Sequence, residues 1–292
     1  MPKTNFTSAA QILGMTTSYE EAKIVVFGAP YDGTTSNRPG TRFAPPAMRI
    51  ESQELETYSP LLDLDLEKAN VCDIGDVDLS YGSPERVMEE LETVTRELLV
   101  DGKIPLMIGG EHLVTYPVVK AVADLHPDVH LLHLDAHTDL RDEFGGSKLS
   151  HATVIKRIWD LLGDGRIFQF GIRSGTKEEF DFARQKGHTY MEPFRINTAP
   201  DVLERLSGEK VYLTIDIDVL DPAIVPGTGT PEAGGITYRE LEYFFLQLRD
   251  ADIKLVGADL VELSPGLDPS NVSTATACKI LREMALILDK NT

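Results

Sequence analysis

Four short polar segments, each directly after an apolar run, carry the residues of this chain that are best suited to chemistry. They are Gly109-Gly110-Glu111-His112, Asp135-Ala136-His137-Thr138-Asp139, Asp216-Ile217-Asp218 and Asp259-Leu260-Val261-Glu262. Residues two apart in an extended segment project to the same face. Asp135, His137 and Asp139 are therefore expected to point together, and so are Asp216 and Asp218.

Together with His112, these side chains would place four carboxylates and two imidazoles in one crevice. Crowded carboxylates repel one another unless cations neutralise them, and ligands of this kind without a thiolate suit Mn²⁺ better than a structural zinc. Six ligands exceed the needs of one catalytic ion, but they suit two ions that generate hydroxide from a shared water. One segment alone could be a structural turn, whereas the combination at several strand ends indicates a metal site. The predicted metal ligands are His112, Asp135, His137, Asp139, Asp216 and Asp218.

The other histidines lie in different sequence contexts. His130 and His133 fall inside an apolar run, which predicts core or supporting positions, whereas His126 and His188 have polar surroundings typical of the surface. His151 follows a flexible loop that begins just after the second polar segment. Spacing alone leaves two interpretations of His151 open, a helix start or a proton shuttle that reaches over the site.

The elements that must position these residues alternate along the chain. Strands are predicted over 23–28, 70–73, 104–108, 129–134, 166–171, 211–215 and 253–258. One helix is predicted between Ser83 and Gly102, and others over 114–125, 176–186, 237–249 and 273–288. This alternation indicates an α/β fold with a mostly parallel sheet and helices on both faces, and we predict one domain over 1–292. All four polar segments would then meet beyond the carboxyl ends of the strands.

Composition narrows the choice of partners. The chain has 47 acidic and 28 basic residues, a formal charge of −19. An acidic surface repels phosphate backbones and attracts small cations, so no nucleic-acid partner is expected. No apolar run is long enough to cross a membrane, so no membrane association is expected. Two isolated cysteines, Cys72 and Cys278, and no recognisable secretory signal predict a cytoplasmic location.

These segments resemble the ureohydrolase family of arginases and agmatinases, and bacterial agmatinases most of all. Further matching pieces, in the family's order, are Gly40-Thr41-Arg42-Phe43-Ala44-Pro45, Pro226-Gly227-Thr228-Gly229-Thr230-Pro231 and Val261-Glu262-Leu263-Ser264-Pro265. The resemblance implies the three-layer arginase fold, two Mn²⁺ ions per subunit and assembly as a homo-oligomer, either a trimer or a hexamer. It also implies a ligand scheme, with His112 and Asp139 on one ion, His137 and Asp218 on the other, and Asp135 and Asp216 bridging.

The resemblance implies catalytic roles as well. His151 matches the family's proton-shuttle histidine, and Asp139 would help to hold the tetrahedral intermediate. Glu262 matches the glutamate that pairs with the guanidinium of the substrate, and Thr230 lies in the loop beside it. Ala152 departs from the glycine that often follows that histidine, which affects the packing of the loop rather than the chemistry.

The implied reaction is hydrolysis of a small cationic guanidine to urea and an amine, most closely agmatine to putrescine in polyamine biosynthesis. The segment after Asp139 lacks the Asn and hydroxyl pattern of arginases, and Asp142 with Glu143 could form an acidic rim for the distal amine. Arg141 could instead bind a substrate carboxylate, as a guanidinobutyrase or formimidoylglutamase requires, or it could point away and pair with a nearby acid. Arginase activity, a two-metal phosphoesterase and a non-catalytic scaffold are the remaining alternatives.

Overall fold

A sheet of nine strands forms the centre of the fold. The structure, a computed structural model, describes residues 1–7, 10–185, 187–192 and 199–291. The strands described are β1 (Phe6–Thr7), β2 (Ile24–Ala29), β3 (Tyr58–Ser59), β4 (Leu64–Asp65), β5 (Val71–Val77), β6 (Ile104–Gly109), β7 (His130–Leu134), β8 (Ile167–Phe170), β9 (Tyr190–Glu192), β10 (Lys210–Asp216) and β11 (Lys254–Val261). The sheet order is β1-β5-β2-β6-β11-β10-β7-β8-β9, and β3 with β4 forms a separate hairpin. In the nine-stranded sheet, neighbouring strands pair in parallel, except that β1 pairs antiparallel with β5.

Helices cover both faces of the sheet and complete three layers. The helices described are α1 (Ala44–Glu51), α2 (Pro84–Val100), α3 (Thr115–Leu125), α4 (Val154–Leu162), α5 (Lys177–Arg184), α6 (Ala199–Arg205), α7 (Tyr238–Asp250) and α8 (Val272–Lys290). Buried residues of α1, α6, α7 and α8 share a core with Ile24 and Val26, whereas those of α2 to α5 share a core with Val25 and Phe27. Alternate residues of β2 thus face different layers, which explains its continuous apolar run. None of the described helices combines the length and apolar character needed to cross a membrane.

The predicted α/β class is confirmed, and the differences from the predicted elements have local causes. Strand β5 continues to Val77, beyond the predicted end at 73, because its acidic residues are buried and paired. Arg49 lies 2.7 Å from Asp73 and also pairs with Asp76, so the charges interrupt the apolar pattern without ending the strand. Helices α1, α4 and α6 were not predicted. Helix α1 has two prolines in its first turn, directly after Ala44, and the first turn of a helix tolerates proline. The predicted helix over 176–186 is shorter, and residue 186 lies outside the described residues.

Four adjacent strands position the polar segments. Strands β6, β11, β10 and β7 are neighbours in this order and run parallel. Asp216 is the last residue of β10, Asp135 directly follows β7, and His112 and Glu262 come just after β6 and β11. Because the carboxyl ends of parallel strands lie at one edge of the sheet, all four segments meet there.

Candidate metal centre and the cavity above it

The first group of ligand atoms surrounds the ring of His112. Its Nδ1 lies 3.1 Å from Asp135 Oδ2, 3.3 Å from Asp139 Oδ2 and 3.4 Å from Asp216 Oδ2. All four side chains are buried or nearly so. Three carboxylate oxygens around one imidazole nitrogen form a position of the kind that a divalent cation occupies.

A second group lies beside the first and shares Asp135 with it. His137 Nδ1 is 3.0 Å from Asp218 Oδ2 and 3.5 Å from Asp135 Oδ1. Asp135 thus presents one oxygen to each imidazole, as a bridging ligand does. Asp216 faces one imidazole only, since its Oδ2 lies near His112 and its Oδ1 accepts a hydrogen bond from the Asp218 amide at 2.9 Å. The six predicted ligands therefore lie together as two groups that meet at Asp135.

The electrostatics of the two groups call for added positive charge. Burial lowers the pKa of His112, but the facing carboxylates outweigh burial and raise this pKa well above its ordinary value. Burial, followed by the charges of Asp218 and Asp135, raises the pKa of Asp216 well above its usual range. The buried atoms His112 Nδ1 and Asp218 Oδ2 make no hydrogen bond of acceptable geometry with the described residues. Divalent cations would supply the charge and use these lone pairs, so the donor set fits the predicted metals.

A buried chain of hydrogen bonds orients the ring of His112. Its Nε2 lies 3.0 Å from Thr214 Oγ1, which in turn donates to Asp259 Oδ1 at 2.6 Å. The hydroxyl of Tyr212 donates to the other oxygen of Asp259 at 2.7 Å. Such a carboxylate behind a histidine directs the free ring nitrogen toward the metal position and raises its basicity. The sequence analysis placed Asp259 in a polar segment and assigned it no role. Its position three residues before Glu262 was the signal that could have marked it as a supporting residue of the site.

His133 supports the bridging carboxylate. Its ligand atom lies close enough to those of His112 and Asp135 to be a metal ligand by proximity alone. However, Gln169 Nε2 lies 3.0 Å from the Thr138 carbonyl and 3.1 Å from His133 Nδ1, and a carbonyl can only accept, so this end of the amide is the donor. His133 Nδ1 is then an acceptor, and the ring hydrogen on Nε2 is donated to Asp135 Oδ2 at 2.7 Å. His133 thus occupies the supporting position that its place in an apolar strand predicted.

Two of the site residues have left-handed backbone conformations. The φ angles of Asp139 and Glu262 are 52° and 65°. Such angles are costly for residues other than glycine and persist where the surroundings hold them, often at functional sites. The conformation of Asp139 also differs from the extended segment expected for residues 135–139. Strand β7 ends at Leu134, and Asp139 reaches the ligand group through a turn rather than through the alternation of an extended strand.

A cavity of about 260 Å³ opens over the metal ligands. Seven predicted site residues line it, namely His137, Asp139, Arg141, His151, Asp216, Thr230 and Glu262. Sequence reasoning did not single out other lining residues, among them Ser36, Phe144, Ser174, Thr176 and Glu179. The fold thus brings every candidate catalytic and substrate-binding residue to one cavity.

Glu262 and His151 both line this cavity and have different hydrogen-bond partners. The Oε1 atom of Glu262 accepts a hydrogen bond from the His112 amide at 2.7 Å, and burial raises the pKa of Glu262 to about 8. His151 begins a short 3-10 helix, His151–Thr153, that leads into α4, so it is both a helix-start residue and a cavity residue. Burial lowers the pKa of His151, which favours the neutral ring near pH 7.

The segment after Asp139 differs in part from its prediction. Arg141 Nε lies 3.5 Å from Glu179 Oε2, and the guanidinium lies 4.7 Å from the centre of the Phe144 ring. Arg141 therefore pairs with an acid, as one interpretation held, but it lines the cavity rather than pointing away. The expected acidic rim is wrong, because Asp142 pairs with Arg157 at 2.7 Å and neither Asp142 nor the exposed Glu143 lines the described cavity.

Arg173 is a positioning residue that sequence reasoning missed. Its guanidinium donates to the Asp218 carbonyl at 2.7 Å and to the Glu232 carbonyl at 2.8 Å. It also donates to the carbonyls of Gly171 and Val219. One side chain therefore joins the Asp216–Asp218 turn to two other chain segments. No spacing rule indicates such contacts, because the acceptors are backbone atoms of any residue type.

The fold and the site together define a class of protein: enzymes with a mostly parallel α/β sheet and a buried His/Asp cluster at its carboxyl edge. The sequence profile of the arginase family matches residues 22–287, and the chain belongs to this family. The prediction of an arginase-family hydrolase is thereby confirmed.

Individual relatives place the chain more closely within the family. It is 47% identical over 270 residues to an agmatinase of Halalkalibacterium halodurans, covering 92% of this chain and 93% of the relative. It is 36% identical to a guanidinobutyrase of Pseudomonas aeruginosa over 89% of this chain and 85% of the relative. A solved structure from Clostridium difficile has a TM-score of 0.91 and 57% identity, covering 93% of this chain and 99% of that chain.

Proposed function

We propose that this chain hydrolyses agmatine to putrescine and urea, a reaction that supplies a polyamine. The observation that carries the proposal is a buried carboxylate, Glu262, in the same cavity as the metal ligands. A cationic guanidinium is the natural partner of this group, because its charge favours ionised Glu262 against the effect of burial on the pKa, and the two groups can share paired hydrogen bonds. The agmatinase of H. halodurans, 47% identical over 92% of this chain, supports agmatine as the substrate.

We further propose two Mn²⁺ ions as the resident metals. His112 and Asp139 would hold one ion, His137 and Asp218 the other, and Asp135 and Asp216 would contact both. When bound, such a pair supplies a strong nucleophile from water near neutral pH. The two oxygens of Asp135, directed at two imidazoles, support the proposal of two positions rather than one.

The residues of the chain then perform binding and proton transfer. Glu262 pairs with the guanidinium nitrogens and orients the planar carbon toward the metal ligands. Asp139, on the same cavity wall, holds the polar atoms of the tetrahedral intermediate. His151 delivers a proton to the departing amine, since an unprotonated amine anion is a very poor leaving group. Thr230 lines the same cavity as Glu262 and would contact the guanidinium.

Arg141 supports a second candidate substrate. Its guanidinium lines the cavity and could pair with the carboxylate of a guanidino acid, and the P. aeruginosa guanidinobutyrase is 36% identical to this chain. We favour agmatine because Glu179 already partners Arg141 at 3.5 Å. Arg141 is also the only Lys or Arg among the described residues of the cavity wall, which argues against a phosphate ester as substrate.

One assay distinguishes the candidates. The purified protein is reconstituted with Mn²⁺, and urea is measured with agmatine, arginine and 4-guanidinobutyrate, with a phosphate ester as the control. We expect turnover of agmatine with the highest kcat/KM. If urea forms from arginine or 4-guanidinobutyrate but not from agmatine, the proposal that agmatine is the substrate is wrong. No urea from any of the three guanidino compounds would overturn the proposed enzyme class and favour a scaffold.

The roles within the site need separate tests. His151→Ala should retain both metals and turn over more slowly, because it removes a proton donor and no ligand. Loss of metal in this variant would identify His151 as a ligand instead.

The remaining proposals concern the whole protein. We propose that residues 1–292 form one catalytic domain that works in the cytoplasm as a homo-oligomer, a trimer or a hexamer. Light scattering coupled to size-exclusion chromatography measures the assembly directly. A monomer that is fully active would overturn this part of the proposal.

A further inference from the structure

The position of His151 depends on a segment far from it in the sequence. The His151 amide donates to Thr34 Oγ1 at 3.1 Å, and its ring atom Nδ1 lies 3.0 Å from the Thr34 carbonyl. Thr34 therefore contacts both the backbone and the ring of His151. Sequence reasoning assigned no role to residues 32–38, which directly follow the turn after β2.

The ring contact decides which nitrogen is free to react. A carbonyl oxygen can only accept, so Nδ1 of His151 carries the hydrogen. In the neutral ring Nε2 then has the lone pair, and the hydroxyl of Ser36 lies 3.3 Å from this atom. His151 and Ser36 both line the cavity. The contact with Thr34 thus selects the tautomer whose basic nitrogen can take up and release a proton at the substrate.

Thr34 is itself held by a completely buried carboxylate. Glu111 accepts from the Thr34 amide at 2.8 Å and from its hydroxyl at 2.5 Å. The Thr34 hydroxyl donates its single hydrogen to Glu111, so the lone pairs of its oxygen can accept the hydrogen bond from the His151 amide. Glu111 directly precedes the predicted metal ligand His112. A continuous set of hydrogen bonds therefore joins the β6 strand end to His151.

The other end of segment 32–38 contacts the loop that carries Thr230. Asn37 Nδ2 and Arg38 Nε donate to the Gly229 carbonyl at 3.1 and 3.0 Å. Gly229 adjoins Thr230, which lines the cavity. The segment thus spans from the loop beside Glu262 to His151.

We propose that Thr34 is a positioning residue that holds His151 in the orientation and tautomer needed for proton transfer. This inference rests on the proposed shuttle role of His151. Thr34 acts through Glu111 on one side and through the amide and ring of His151 on the other. Thr34 itself is not among the described residues that line the cavity.

Neighbouring threonines provide a matched pair of variants. Thr35 also donates to Glu111, at 3.1 Å, is similarly half-buried and forms no described hydrogen bond with His151. Thr34→Val removes the hydroxyl that binds Glu111 and the His151 amide but keeps the carbonyl. With the Mn²⁺-loaded enzyme and saturating agmatine, we expect this variant to lower kcat about 10- to 100-fold, up to the loss that a misplacement of about 1 Å causes. Thr35→Val removes one hydrogen bond to Glu111 but no contact with His151, so its kcat should fall much less than that of Thr34→Val. Thr34→Ser keeps the hydroxyl and should restore most of kcat.

A double-mutant cycle separates positioning from general damage. If Thr34 acts through His151, the Thr34→Val change should cost little further activity in a His151→Ala background. Metal content and melting temperature are measured for each variant, and Glu111→Gln, which weakens the anchor of Thr34, serves as the second route if Thr34→Val is unstable. We expect this variant to show the same non-additivity with His151→Ala.

The outcomes are distinct. Additive losses in the cycle, or equal losses for the two valine variants, would overturn the positioning role while leaving the proposed function intact. Unchanged activity of His151→Ala would overturn the shuttle role, and the positioning role with it. Non-additive losses in the cycle, together with recovery of kcat in Thr34→Ser, would establish the positioning role of Thr34.

Discussion

The floor and the mouth of the cavity are built in different ways. The floor consists of carboxylates and imidazoles at the ends of buried parallel strands, and several carboxylate oxygens there accept a backbone amide, as Asp135, Asp216 and Asp218 do. The mouth consists of loop residues such as Arg141 and His151, whose positions depend on partners elsewhere in the chain. Residue type therefore determines chemistry at the floor, whereas at the mouth the same residue types acquire roles from their contacts.

The difference has an electrostatic cause. Charges at the floor are almost completely desolvated, so each one strongly shifts the pKa of its neighbours. Charges at the mouth are partly exposed and screened by water and salt. Changes at the floor should therefore have large effects on metal content and activity, whereas changes of the exposed charges at the mouth should have only small effects on substrate preference.

The largest effect is expected from Asp216→Asn at the floor. Removing one buried negative charge weakens the attraction for cations, so we expect loss of at least one ion and a fall in activity of more than about 1,000-fold. Elemental analysis of the dialysed protein and a urea assay measure the two quantities. Full metal content with normal activity would show that Asp216 is not a ligand.

Glu262→Gln tests the charge that faces the substrate. The amide keeps an oxygen that can accept from the His112 amide, but it loses the negative charge that pairs with a guanidinium. We expect kcat/KM to fall about 100-fold or more, as when one electrostatic contact to the transition state is removed, with metal content unchanged. If metal is lost as well, Glu262 supports the cluster rather than the substrate.

Gln169→Met tests the support behind the floor. The side chain keeps its approximate volume but no longer donates to His133, so the tautomer that donates to Asp135 is no longer selected. We expect Mn²⁺ affinity to fall about tenfold, a typical effect of removing a support behind a ligand, while the number of ions stays the same. Titration of the metal-free protein with Mn²⁺, followed by electron paramagnetic resonance, measures both. Unchanged affinity would contradict this supporting role.

Arg141→Ala tests the mouth. Its guanidinium repels a cationic substrate only weakly, because Glu179 partners it and water screens it, so we expect KM for agmatine to fall about two- to fivefold. The difference in KM between the variant and the unchanged protein should become smaller in high salt, and kcat should stay the same. The reverse result, a selective loss of activity toward 4-guanidinobutyrate, would identify Arg141 as a carboxylate receptor.

Asp142→Asn is expected to have the smallest effect and serves as the control for the acidic residues above. Asp142 is exposed, pairs with Arg157 and lies outside the described cavity wall. We expect KM and kcat for agmatine within about twofold of the unchanged protein, since exposed ion pairs contribute little. A large rise in KM would restore the acidic rim that the structure argues against.

Much of the floor could be predicted because its signals are local. Asp135, His137, Asp216 and His112 follow apolar runs, and parallel strands bring such positions to one edge whatever the loops do. Supporting residues were harder to find, since Gln169 lies within a strand and Arg173 binds backbone carbonyls. Helix α1 was missed for a related reason, because its buried Arg49 reads as a surface residue until Asp73 and Asp76 are seen beside it.

The sequence by itself determined the alternation of strands and helices, the acidic ligand set and the family, because periodicity and residue type are local properties of the chain. Tertiary structure alone decided which acids outside the ligand motifs face the cavity. Asp142 and Glu143 looked suited to a cationic substrate, yet Asp142 turns to Arg157, while the unremarked Glu179 lines the wall. It also brought Thr34 to His151 across 117 positions, a contact that depends on how two loops pack and that no spacing rule encodes.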